Sequence, residues 1–148
     1  MKQIAVIGSS VCSDSIYNDA FDIGVIIATK GYTLISGGGG GVMEASCKGV
    51  KSINGNSVCI LPSYDKNAAN NYCSIIIPSG IGEMRNFMVV RSADIIISVD
   101  GGYGTLSEIA IAKKENKKIF LYKPSDLVIT LSAETTVLNS IKDIDRLI

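Results

Sequence analysis

Twice in this chain a short apolar run passes straight into a cluster of glycines and then into a helical pattern. Tyr32 to Ile35 runs into Ser36 and Gly37 to Gly41, and Asp94 to Val99 (DIIISV) runs into Asp100-Gly101-Gly102-Tyr103-Gly104-Thr105. A short apolar run bounded by glycine reads as a strand buried on both faces. A strand that leaves through glycines into a helix reads as the opening half of a parallel βαβ unit. Such units put helices on both faces of one sheet, which leaves few architectures available.

The rest of the chain extends the alternation. Ile4 to Ile7 is a strand ending in Gly8-Ser9-Ser10, and Tyr17, Ala20, Phe21, Gly24, Val25 and Ala28 recur at helical spacing before the stop signal Gly31. A helix from Val42 to about Val50, the turn Asn54-Gly55-Asn56 and a strand Ser57 to Leu61 follow. Asp65 to Asn71 is polar and Asn-rich, a surface loop or short helix near the ligand mouth. Ser74 to Ile77 reads as a strand, Gly82 to Arg91 as a helix, and Leu106, Ile109 and Ala110 as one face of the helix after the second glycine turn. Ile119 to Tyr122 and Leu127 to Thr130 supply two last strands, and Ser132 caps a closing helix through Val137, Leu138, Ile141 and Ile144. The expectation is a single α/β domain over residues 1–148: a Rossmann-like three-layer sandwich with a mostly parallel sheet of about 6–7 strands.

Composition removes whole classes of function. Fourteen basic residues balance fourteen acidic ones with no Lys/Arg block, so neither nucleic acid nor an anionic membrane surface is an expected partner. No run approaches the roughly 20 apolar residues that a membrane span requires, and MKQIAVIG reads as strand and turn rather than leader, so a cytoplasmic location is expected. Cysteines 12, 47, 59 and 73 include no CxxC pair and are expected as free thiols in a reducing compartment. The absence of histidine removes His triads, His general bases and imidazole ligands, and no metal site is expected.

Chemistry is expected where strands feed helices, because ligands of open α/β sheets collect outside the strands' carboxyl ends. Glycines there admit a phosphate close to the backbone, and the N–H groups and dipole of the following helix attract it. This makes Gly37, Gly38, Gly39, Gly40, Gly41, Gly101, Gly102, Tyr103, Gly104 and Thr105 candidate ligand contacts, with packing alone as the bland alternative for either turn. Neither turn fits GxGxxG, since Val42 and Ser107 stand where the last glycine would be, and the chain has no Gly-Lys dipeptide for a P-loop. A mononucleotide, sugar phosphate or phosphorylated cofactor is left.

Two stretches resemble the LOG-like superfamily (cytokinin riboside 5'-monophosphate phosphoribohydrolases, long labelled lysine decarboxylases). SGGGGGVMEA (36–45) is similar to its GGG-x-x-G-x-M turn, and GEMRNFMVVRSADIIISVDGGYGTLSE (82–108) to its R-x-x-x-x-x-R…PGGxGTxxE block. Within that group the chain looks closest to a branch of short bacterial and archaeal nucleotide-binding proteins, to which a plant-type molybdenum cofactor carrier is also similar. The resemblance implies that Arg85 and Glu108 are catalytic. Arg85 would pair with phosphate or ribose oxygens, and Glu108 would activate water or stabilise the oxocarbenium-like charge as an N-glycosidic bond breaks. Arg91 is expected in a weaker binding role, and Ser9, Asn86 and Thr105 are candidate hydrogen-bond donors to phosphate or base, with ordinary turn and capping roles as the alternative. The pattern also departs from the enzymes: Asp100 replaces proline, Ser107 a first glutamate and Glu44 a glycine, and no histidine precedes Arg85.

Three readings stay open. One is a hydrolase that frees the base of a nucleoside 5'-monophosphate and requires no cofactor. Another is a non-catalytic carrier or sensor of a nucleotide or phosphorylated pterin, and the third is a structural protein whose glycines serve packing. The resemblance further implies a homodimer or higher homo-oligomer.

Overall fold

The computed structural model describes residues 1–132 and 134–148. Among them, seven strands form one parallel sheet: β1 (Gln3–Gly8), β2 (Thr33–Ser36), β3 (Asn56–Leu61), β4 (Ile75–Pro78), β5 (Ile95–Val99), β6 (Lys118–Tyr122) and β7 (Thr136–Leu138). Five α-helices lie between strands, α1 (Asp14–Thr29), α2 (Val42–Ser52), α3 (Arg85–Ser92), α4 (Tyr103–Lys114) and α5 (Asp126–Leu131), and α6 (Ile141–Leu147) follows β7. Strand order is β4-β3-β2-β1-β5-β6-β7, every neighbouring pair parallel.

The strand period of two divides the core into two halves. From β1, Ile4 and Val6 join Ala20, Ile23 and Ile27 of α1 and Val42, Ala45 and Val50 of α2. Ala5 and Ile7, on the opposite face, join Val89 and Val90 of α3 and Ile109 and Ala112 of α4. This is why β1 carries no polar residue between Gln3 and Gly8: both of its faces are covered.

β1 is also where the winding reverses. From its end the chain crosses to β2 on one side, whereas β5, its neighbour on the other side, leads to β6. The connections after β1 and β5 therefore diverge, and a crevice opens between them at the strands' carboxyl ends.

Two sequence expectations are corrected at the carboxyl end. Leu127 to Thr130 is part of α5, not a strand: Ser125 Oγ accepts the Val128 N–H and Asp126 sits in the first turn, so capping and dipole override the β-branched pattern. Val137 and Leu138 belong to β7, paired with Leu121 and Tyr122, and the closing helix begins after Ser140, whose hydroxyl accepts the Asp143 N–H. The Asn-rich segment holds one turn of 3-10 helix, Lys66–Ala68, capped by Asp65.

The cysteine expectation is corrected as well. Cys59 and Cys73 are joined in a disulfide, while Cys12 and Cys47 are free. The 14-residue separation hides the proximity, because the connection from β3 returns the chain to β4 directly beside it. No helix among the described residues is long and apolar enough to cross a membrane.

Candidate functional site

A cleft of about 310 Å³ lies at the carboxyl ends of β1 and β5. One wall is Gly8, Ser9 and Ser10, which leave β1, together with Met43 from the first turn of α2; the other is Gly102, Tyr103, Gly104 and Thr105 at the start of α4. Glu83, Arg85 and Asn86 from the start of α3, with Glu108 one turn into α4, complete the lining.

The start of α4 presents a helix N-terminus to this space. Gly102 is the capping residue, its N–H donating to Thr105 Oγ1 at 3.3 Å. The first-turn amides that follow have no partner within the helix and carry the positive end of its dipole. A Cβ on Gly102 or Gly104 would meet no atom within 4 Å, so the backbone faces open space here. Tyr103 is exposed at the mouth.

The second turn is held from behind by three hydroxyl-mediated bonds. Ser9 Oγ donates to Asp100 Oδ2 at 2.8 Å and accepts the Gly101 N–H at 3.0 Å; Ser125 Oγ donates to the Gly101 carbonyl at 2.7 Å. Asp100 has φ +55 and Gly101 φ +129, so the chain reverses through backbone that only the glycine adopts freely. Ser9 thus lines the cleft while its hydroxyl braces the turn. Asp100 does not line the cleft, and neither does Glu44, which accepts a 2.9 Å hydrogen bond from Tyr17. Burial and that bond push the Tyr17 hydroxyl up to about 12.

Arg85 is the first residue of α3, and its guanidinium is partly committed: Nη1 donates to the Gly37 carbonyl at 2.6 Å and the Ile60 carbonyl at 2.7 Å. Its Nε is buried without a hydrogen-bond partner among the described residues. A buried cationic donor left unpaired is costly unless a ligand completes it. Glu108 lies in the same cleft, and burial pushes its carboxyl up to about 8; the Arg85 charge pulls the other way and Glu83 adds to the rise. At neutral pH Glu108 is therefore mostly protonated and leaves the Arg85 charge available to an anion. Asn86 is buried, and its Nδ2 donates to Ser107 Oγ at 2.9 Å, which in turn donates to the Gly104 carbonyl at 2.7 Å, tying α3 to the rim of α4.

The structure thus gathers Ser9, Arg85, Asn86, Gly102, Tyr103, Gly104, Thr105 and Glu108 around one cleft. Gly37 to Gly41 and Gly101 stand behind the lining. Gly37 packs on Arg85 and Met43, Gly38 on Leu61 and Cys59, and Gly41 on the Ser9 and Ser10 backbone. Arg91 is outside the cleft, paired with Glu115 on the surface at 2.7 Å. Gly8, Ser10, Met43 and Glu83 were not candidates from the sequence. The Gly8-Ser9-Ser10 turn after β1 carried a signal for the first two and the methionine of the GGG-x-x-G-x-M resemblance one for Met43, whereas Glu83 enters through packing alone.

Comparison with known proteins places these features in a lineage. The model of the SLOG cluster4 family matches residues 1–148. An uncharacterised protein of Archaeoglobus fulgidus is 50% identical over 124 residues, 84% of this chain and 82% of the relative. The molybdenum cofactor binding protein of Rippkaea orientalis superposes with a TM-score of 0.90 at 30% identity, covering 99% of this chain and 94% of the other. A molybdenum cofactor carrier protein of Chlamydomonas reinhardtii gives 0.82 at 25% identity, over 96% and 92%. DNA processing protein A of Helicobacter pylori gives 0.77 at 19% identity, over 98% and 79%, a likeness of fold alone.

Proposed function

Because this chain belongs to the SLOG cluster4 family, we propose that it binds a phosphorylated small molecule of the pterin-cofactor or nucleotide class in the cleft between β1 and β5 and carries it intact. The observation that carries this reading is Arg85: a guanidinium anchored on two backbone carbonyls, with a buried unpaired Nε, in a cleft shared with the N-terminus of α4. A phosphate seated on the first-turn amides of α4 would gain charge-assisted hydrogen bonds from both. Tyr103 at the mouth offers a ring for a pterin or base to stack on. The solved relatives that bind the molybdenum cofactor, a phosphorylated pterin, support the pterin class.

Carriage is favoured over hydrolysis by the solved relatives, a molybdenum cofactor binding protein and a molybdenum cofactor carrier protein. A carboxyl pushed up to about 8 is mostly neutral at pH 7, so Glu108 does not supply the anion that would activate water or stabilise an oxocarbenium-like charge. A neutral carboxyl donates a hydrogen bond to a ligand oxygen and adds no repulsion to a phosphate. The apolar side chains exposed on and before α3, Met84, Phe87 and Met88, fit a homo-oligomer contact, which size-exclusion chromatography with light scattering tests.

The deciding experiment is thermal unfolding with a phosphorylated pterin, a panel of nucleoside 5'-monophosphates and single-stranded DNA, alongside chromatography of each small ligand after incubation. The expected outcome is stabilisation by the pterin or a nucleotide of roughly 2.7 kcal/mol at 100 times the dissociation constant, with the ligand recovered whole and no response to DNA. Arg85→Met should weaken binding at least about tenfold. Release of free base would replace carriage with hydrolysis, and a flat panel would remove the binding reading.

A further inference from the structure

On the far side of the first glycine turn from the cleft, three sulfurs converge. Cys59 from β3 and Cys73 just before β4 form the disulfide, and the free Cys47 of α2 places its Sγ 3.6 Å from Cys59 Sγ. All three sulfurs lie within 4.8 Å of one another. Cys47 and Cys59 are fully buried, while Cys73 is half-buried. A buried thiol in contact with a disulfide has a sulfur it can attack without any approach from solvent.

We propose that Cys47, Cys59 and Cys73 form a thiol–disulfide exchange site, whose substrates are small thiols and disulfides of the glutathione class and whose pairing state controls how the first glycine turn is held. The internal step needs no co-reactant. The Cys47 sulfur, having lost its proton, bonds to Cys59 Sγ as the Cys59–Cys73 bond breaks. Cys73 leaves as a thiolate and takes up the proton, so one disulfide and one thiol become one disulfide and one thiol. The external step enters at Cys73, the half-buried sulfur. A small thiol attacks it, a mixed disulfide forms and Cys59 is released as a thiol. A second small thiol then attacks the small-molecule sulfur of that mixed disulfide, leaving as a small-molecule disulfide. Two electrons and two protons have then moved onto Cys59 and Cys73.

The coupling to the glycine turn runs through the residues before Cys73. Asn70 donates its backbone N–H to the Gly38 carbonyl at 2.8 Å and its Nδ2 to the Gly39 carbonyl at 3.0 Å; its Oδ1 accepts from Tyr72 N at 3.0 Å. Gly38 rests on Cys59, so closely that a Cβ there would stand 3.0 Å from the Cys59 Cβ. The disulfide therefore pins the segment 70–73 to the strand beneath the turn it holds. Breaking it removes the one covalent tie and leaves that segment held by hydrogen bonds and by the packing of Tyr72 and Cys73 on the core. Burial pushes the Cys47 thiol up and makes exchange slow rather than instantaneous, while Ser36, Ser57 and Asn70 lie against it and favour its anion.

The test is independent of any ligand of the cleft. The full chain is equilibrated across a series of reduced and oxidised glutathione ratios, acid-quenched and alkylated, and its disulfide-linked peptides are identified by mass spectrometry. Cys59–Cys73 should dominate the oxidised wild type, Cys73→Ser should form Cys47–Cys59 in its place, and Cys47→Ser should retain Cys59–Cys73 alone. Hydrogen exchange at the amides of residues 38–40 and 70–73 should accelerate about tenfold or more in the reduced wild type. Free Cys47 and Cys59 in oxidised Cys73→Ser, or three free thiols in the wild type at every ratio, would overturn the exchange site. Unchanged exchange rates at both segments would overturn its control of the turn. The wild-type titration stands even where a variant fails to fold.

Discussion

The two glycine turns look alike as sequence and differ as structure. Every glycine from Gly37 to Gly41 is crowded by other parts of the chain: Arg85, Met43, Leu61, Cys59 and the backbone of Ser9 and Ser10. In the second turn Gly102 and Gly104 face open space, and only Gly101 is hemmed in, by Val128 and Thr105. The first turn is glycine-rich because backbone must pass close to other atoms, and the second because a helix N-terminus must stay uncovered. Glycine composition alone carries no information about which of these two needs it answers. The first turn still serves the site at one remove, since the Gly37 carbonyl holds Arg85 in place.

The largest effect that would sharpen this contrast is expected at Gly41, where φ is +58 and a Cβ would strike the Ser9 and Ser10 backbone. Gly41→Ala combines left-handed strain with overpacking and should cost about 2 to 4 kcal/mol, read by urea unfolding. Stability within about 1 kcal/mol of wild type would remove the packing role assigned to the first turn.

An intermediate effect is expected at Glu108 and depends on pH. Its folded-state value of about 8 lies above the ordinary 4.5, so the folded chain holds the proton across that interval. The corresponding stability is present below 4.5 and is lost as pH rises through 8. Glu108→Gln lacks this loss, so its unfolding free energy, read by urea unfolding, should gain on the wild type's between about pH 5 and pH 9, by on the order of 1 kcal/mol after solvent screening. A gap that does not change with pH would return Glu108 to an ordinary ionised carboxylate and reopen the hydrolytic reading.

The smallest change in stability, and the clearest separation of the two turns, is expected at Gly104. Gly104→Ala adds a methyl where no neighbour stands and improves helix propensity, so it should raise stability by up to about 1 kcal/mol. The same methyl enters the space assigned to the ligand and should weaken phosphorylated-pterin or nucleotide binding several-fold, measured by calorimetry. Unchanged affinity would move the ligand away from the start of α4.

Much of the architecture is legible in the amino-acid sequence. The alternation of apolar runs and helical spacing locates β1 to β6 and α1 to α4, because buried parallel strands must be apolar on both faces. It fails at residues 127–130, where β-branched residues sit in a short helix, and at 137–138, where an apolar pair sits in an edge strand. Local propensity there is weak, and a cap at Ser125 and pairing with β6 decide the outcome. Arg85, Thr105 and Glu108 stand out through family motifs and Asn86 as a hydrogen-bond donor beside Arg85, and all four line the cleft. Met43 is the methionine of the first family motif, Glu83 carries no periodic or compositional signal, and the Cys59–Cys73 bond spans a crossover whose return path no spacing rule encodes.

By itself, then, the sequence determined the layers of this protein and the end of the sheet at which its chemistry gathers, because hydrophobic period and glycine placement are local properties. Only the tertiary structure decided which glycine turn faces the cleft, which donor of Arg85 stays unpaired, why Glu108 keeps its proton and which sulfurs meet. Those are set by distances between segments far apart in the chain, and by the burial that follows when the sheet assembles.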